Sequence, residues 1–187
     1  MAEEKKRRGR RDHLNDFYRD VSGNYVYTGV CYGHTGGVCA NTALLRRLRL
    51  MAAVMAAAVL AGGCISAPGV GRCFYVLLPY AAQIGVTGSI VWAVARWQVR
   101  EYPLREYIYR ATVQALPGRC LAQAVLAGVG LAAETLYLLL SGSDGRGAAA
   151  AVYLLLQACV LVLALLTRRA VLASDWQMEK HGGLTTE

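Results

Sequence analysis

Glu134 lies inside an apolar run, in the stretch GVGLAAETLYLLL. A charge is costly in hydrocarbon, so an ionisable side chain in such a run is a functional candidate whose partner must be named. Three roles suit it. A protonated or hydrogen-bonded carboxyl would tie helices together through tyrosine and glutamine. An ionised one would pair with a basic residue of a partner protein, because no Lys or Arg lies at comparable depth in this chain. The third role is binding a proton or cation during transport.

Helical spacing supplies the companions. At about 100° per residue, Gln123, Ala127, Gly130, Glu134 and Ser141 cluster on one side of a helix, with Tyr137 at the margin. In an earlier run Pro79, Gln83 and Thr87 recur at i+4 with Tyr80 adjacent, and in a later one Tyr153 and Gln157 do the same. At ~1.5 Å per residue, Glu134, Tyr80 and Tyr153 fall about 10 Å from the outer ends of their runs, with Gln83 and Gln157 roughly one turn deeper. The expected site is therefore a substrate or ion pocket, open outward, lined by Glu134, Gln83, Thr87, Tyr80, Tyr153, Gln157 and Gln123. Pro79 cannot donate a backbone hydrogen bond, which frees the carbonyl of Tyr75 and favours a kink beside that pocket.

Other chemistry is thinly represented. Cys31, His34 and Cys39 make a weak metal motif: zinc takes four ligands, usually in tight pairs, and His13 or Asp16 would have to return as the fourth. Small residues in an irregular segment are the expected reading, with no metal and no cofactor. Cys64 and Cys73 bracket a short connector, where they are free thiols or a disulfide; the lack of other secreted-type pairs favours thiols. No phosphate loop, zinc-protease helix or dinucleotide fingerprint occurs, and all three histidines lie outside the apolar runs, which disfavours catalysis.

The elements that must hold these residues follow from hydropathy. The chain has 187 residues, 56% of them hydrophobic, yet a formal charge of +8, so its basic residues are gathered outside the apolar runs. Roughly 20 apolar residues in helix cross a hydrocarbon core about 30 Å thick. Four runs approach that length, at about 50–66, 73–95, 120–140 and 148–167. APGVGR and SGSDGRG carry turn residues, so the runs are expected to form two antiparallel hairpins. VLAGGC resembles a signal-peptide end, but about fifty residues precede it and Ala61 stands where a lipobox has leucine; retention as the first span is expected. Small residues repeat every four positions at Ala81, Gly85, Ser89 and Ala93, and at Ala124, Gly128 and Ala132. Such stripes let helices pack closely.

Between the hairpins, Leu104, Tyr107, Ile108, Ala111 and Ala115 share a face, predicting a short amphipathic helix over 103–116 along the inner surface, with a Glu106–Arg110 pair. Residues 1–49 read as a basic tail with short strands around Tyr25, Tyr27 and Tyr32, its charge block drawn to anionic lipid head groups rather than nucleic acid; 173–187 reads as a fraying tail. Arginines abut the first run, fill the middle loop and end the fourth run, while the short connectors hold only Arg72 and Arg146. Both termini are therefore expected in the cytoplasm, with Trp92, Trp97 and Trp176 near the same interface. The chain is expected to be an all-α, multi-pass protein of the cell membrane with four spans. It would serve as a non-catalytic accessory or assembly component contacting lipid and other subunits or itself. The alternative is a small oligomeric proton- or cation-coupled transporter with Glu134 as coupling site.

Overall fold

The computed structural model describes residues 17–19, 25–27, 30–65, 67–97, 103–142 and 145–180. The basic block at the start of the chain, His13 and Asp16, residues 98–102 after Trp97, and the end beyond Lys180 lie outside the described residues. Strands β1 (Phe17–Arg19) and β2 (Tyr25–Tyr27) form an antiparallel pair. Then come β3 (Val30–His34), α1 (Gly37–Cys64), α2 (Phe74–Arg96), β4 (Leu104–Arg105), α3 (Glu106–Tyr109), a π-helical turn (Arg110–Gln114), α4 (Leu116–Ser141), α5 (Gly147–Leu172) and β5 (Trp176–Lys180).

The four long helices form a ring in the order α1, α2, α4, α5, each packed on its two neighbours. β3 leads into α1 and β5 follows α5, and the two strands pair antiparallel along their length, from Val30 opposite Lys180 to His34 opposite Trp176. The bundle therefore starts and finishes at one end, here the sheet end, and its helices alternate in direction. The α1–α2 and α4–α5 connectors lie at the other, the loop end.

Three helical segments are long and apolar enough to cross a membrane: Phe74–Arg96, Glu106–Ser141 and Gly147–Leu172. They cover the runs read from hydropathy at 73–95, 120–140 and 148–167, except that Cys73 stands just before its helix. The first run behaves differently. α1 extends back to Gly37, and with Arg46, Arg47 and Arg49 in its first half its longest uncharged stretch is residues 50–64, about 22 Å of helix. The exterior of the bundle is apolar: Leu139, Leu140, Leu155, Phe74 and Trp92 are exposed, whereas Gln83, Gln123 and Glu134 are buried. That inversion of the usual soluble pattern suits a lipid surround.

Three expectations are corrected. The protein is mostly helical but not all-α, because β3 takes β4 on one edge and β5 on the other. The segment from 173 onward does not simply fray: Trp176–Lys180 is a strand. The 103–116 segment is not one amphipathic helix. Leu104 and Arg105 pair with Tyr32 and Cys31, and the helix begins only at Glu106 and widens into the π turn just before Pro117, which has no N–H to donate to Val113. The turn shifts the helical register, so Leu104, Ile108, Thr112, Val113 and Leu116 are buried while Ala111 and Ala115 are only half-buried. The Glu106–Arg110 ion pair does form.

Candidate functional site

The inward face of each long helix carries polar groups, and the ring brings them to the bundle axis. On α2 these are Tyr80, Gln83 and Thr87; on α4 Gln123 and Glu134; on α5 Tyr153 and Gln157, all of them buried. Spacings of one turn on α2 and α5 and of about three turns on α4 keep them in line, and Pro79 is buried among them within a continuous α2.

Two of the glutamines join helices that are not ring neighbours. Gln83 Nε2 donates to Gln157 Oε1 at 3.0 Å, from α2 across the axis to α5, and Gln157 Nε2 donates to the Tyr153 hydroxyl at 2.9 Å. Gly130 of α4 lies against this crossing: a Cβ there would stand 3.4 Å from Gln83 Nε2. Nearer the loop end, the Tyr80 hydroxyl donates to the Val59 carbonyl of α1 at 2.9 Å, and its ring sits 6.4 Å from that of Tyr153. Gly63 makes room, since any side chain there would overlap the Tyr80 hydroxyl.

Glu134 meets backbone. The α1–α2 connector turns inward so that Ala67, Pro68 and Gly69 are buried, and the Gly69 N–H donates to Glu134 Oε1 at 3.3 Å. A side chain at position 69 would overlap Glu134 Oε2. The outward mouth expected from the sequence is thus covered by the connector. Some polar atoms remain unpaired: among the described residues Glu134 Oε2, Gln83 Oε1, Thr87 Oγ1 and both amide atoms of Gln123 have no hydrogen-bond partner. Ser141 is exposed at the end of α4.

The small-residue stripes divide. Ala93 and Ala124 are in the core, and Gly128 faces Leu161 of α5. Ala81, Gly85 and Ala132 are exposed on the outer surface, and Ser89 is half-buried, its hydroxyl donating to Val86.

At the sheet end the weak metal motif comes apart. Strand alternation buries Cys31 and leaves His34 half-buried on the opposite face, and the His34 Nδ1 accepts the Gly36 N–H at 3.0 Å. Cys39 is exposed, and no three metal-ligating side chains gather among the described residues. No disulfide joins Cys64 to Cys73. Aromatic rings cluster instead. Tyr32 stacks on Tyr109 at 4.1 Å between centroids, and Trp176 packs 5.4–5.5 Å from His34, Trp97 and Tyr109.

Several residues of the interior escaped the sequence reading. Gly69 and Val59 take part through backbone atoms, which no side-chain pattern announces. Asn41, fully buried in α1, lies in ANTALLRRLRL, where Asn41, Leu45 and Leu48 already share a helical face. Arg119 reaches from α4 to the Ser89 carbonyl of α2 at 2.9 Å.

No protein-family model, curated protein or solved structure matches the chain.

Proposed function

We propose that the chain is a non-catalytic membrane protein of four spans, an accessory or assembly component of a membrane complex, whose buried polar side chains hold the bundle in one arrangement. One observation carries this reading: Tyr80, Gln83, Glu134, Tyr153 and Gln157 on the axis are engaged in hydrogen bonds, most of them between helices or from helix to loop, with Thr87 and Gln123 left over. Gln83, Gln157 and Tyr153 form a relay across α2 and α5, Tyr80 ties α2 to α1, and Glu134 ties α4 to the connector. In lipid, where apolar surface gives no drive for helices to associate, such bonds and close packing do the joining.

The fourth span would be the later half of α1, its short apolar stretch completed by packing in the ring. Arg46, Arg47, Arg49, Arg96, Arg105, Arg110, Arg119, Arg168 and Arg169 belong to the sheet end, against Arg72 and Arg146 at the loop end. By the positive-inside tendency the sheet end is cytoplasmic, and with it both termini, in the cell membrane. Partners are the bilayer, anionic head groups on the cytoplasmic side, and other membrane subunits or a second copy. Nucleic acid is not among them, because the basic residues punctuate helix ends.

A second reading, a proton- or cation-coupled transporter using Glu134, draws on the unpaired Glu134 Oε2 and the unpaired amide and hydroxyl atoms further along the axis. Glu134→Gln separates the two, since it keeps an acceptor for Gly69 and removes ionisation. In proteoliposomes the structural reading expects no pH- or ion-dependent flux in either form and similar thermal stability. Flux in the wild type that vanishes in a folded Glu134→Gln variant overturns it in favour of transport.

A further inference from the structure

A groove of about 340 Å³ opens between α1 and α2 toward the sheet end, lined by Arg49, Ala52, Ala53, Val91, Val94 and Ala95. Its floor is apolar because alanine on both helices stops short of filling the space between them. Exposed Leu50, Val54 and Trp92 continue the apolar surface alongside it. In the proposed orientation, the groove faces the acyl chains of one leaflet.

Its polar rim has one sign. Arg49 is held at the mouth by donating Nη2 to the Trp97 carbonyl at 3.3 Å, which leaves its remaining donors free to face outward. Arg46 lies one turn back on α1, and Arg96 follows Ala95 at the end of α2. None of the three forms an ion pair among the described residues, unlike Arg110, which Glu106 neutralises. Guanidinium groups are suited to phosphate oxygens, and unpaired ones beside an apolar slot call for a ligand with an anionic head and a hydrocarbon tail.

We infer that this groove is a binding site for an anionic glycerophospholipid, its phosphate on Arg49 with Arg46 and Arg96 near by and one acyl chain along Ala53 and Val91. This goes beyond general attraction of the N-terminal charge block to a surface, because it names a seat with a shape. It also gives the lipid a structural consequence. Arg49 bonds to the carbonyl of Trp97, whose ring packs on Trp176 of β5, so occupancy braces the sheet end. The inference rests on the membrane reading and not on the choice between assembly and transport.

The test uses the full chain, purified in detergent and mixed with phosphatidylglycerol or phosphatidylcholine of identical chains, with retained lipid counted by native mass spectrometry. Phosphatidylglycerol is expected to be retained better by about 25-fold or more, about fivefold for each of Arg49 and Arg96. Arg49→Gln with Arg96→Gln lowers that preference about fivefold for each charge removed, while Arg168→Gln with Arg169→Gln, the same charge loss at the end of α5, leaves it within twofold. Ala53→Trp, which fills the groove and keeps every charge, also lowers retention, and added phosphatidylglycerol no longer raises its melting temperature as it does that of the wild type. Equal retention of the two lipids, equal losses from both arginine pairs, or undiminished retention by a folded Ala53→Trp variant each overturns the site. Failure of the chain to partition into membranes at all would instead overturn the membrane reading itself.

Discussion

At the loop end of the bundle a single carboxylate meets a glycine backbone, whereas at the sheet end Tyr32, Tyr109, Trp97, Trp176 and His34 pack ring on ring. The first closure depends on a few atoms with no slack: Gly69 must lack a side chain, and Glu134 must present an oxygen. The second spreads its stabilisation over apolar area and several ring pairs, so no one atom is decisive. A polar closure in the low-dielectric interior gains specificity from hydrogen-bond geometry, while an aromatic closure gains tolerance from area. Substitutions should therefore act abruptly at one end and by degrees at the other.

The largest effect is expected from Gly69→Val, whose side chain meets Glu134 Oε2 and Val76 and pushes the connector out of the bundle. A loss of about 3 kcal/mol follows from overpacking with loss of the Gly69–Glu134 bond. Thermal unfolding in detergent reads it, and pairing Gly69→Ala with Glu134→Ala should recover part of the loss; strict additivity would break the account of this end. Trp176→Ala comes next, at about 2 kcal/mol, because the ring is only half-buried and its neighbours can close up. Hydrogen exchange should show β3 and β5 loosened while the amides of α4 stay protected. Global unfolding would erase the contrast between the ends.

A smaller effect is expected of Gln83→Leu. It leaves Gln157 Oε1 without its donor, at a cost of about 1 kcal/mol, in keeping with the modest worth of polar contacts between helices in lipid. Loss of the cross-axis bond should also raise accessibility of a cysteine placed at Gly130 to small thiol reagents; an unchanged labelling rate would show that the glutamines do not seal the axis. Least of all is Glu134→Gln, within about 1 kcal/mol of the wild type, since the amide oxygen still accepts from Gly69. A much larger loss would mean that the second carboxylate oxygen has a partner of its own.

Much of the interior was legible in advance. Helical spacing and depth bring Gln83, the adjacent Tyr80, Tyr153 and Gln157 toward one region, and in the bundle Gln83 bonds to Gln157 and the two tyrosine rings lie near each other. The spacing worked because α2, α4 and α5 are regular where these residues lie. It failed at 103–116, where the π turn moves Thr112 and Val113 inward in place of Ala111 and Ala115. At Ala81 and Gly85 the stripe is exposed in this chain: a small-residue stripe fits a helix contact but equally an outer surface, and only the neighbouring helix decides. The start of α1 at Gly37 could have been found from Asn41, Leu45 and Leu48, which repeat at helical spacing through a stretch dominated by arginine.

Hydropathy and helical period are local properties, and they alone determined which stretches are apolar helices and which face of each carries Gln83, Glu134 and Gln157. The cover over Glu134 and the pairing of β3 with β5 belong to the tertiary structure. Each joins segments remote in sequence through backbone N–H and carbonyl groups that every residue possesses, so no residue type announces the bond before the helices have packed.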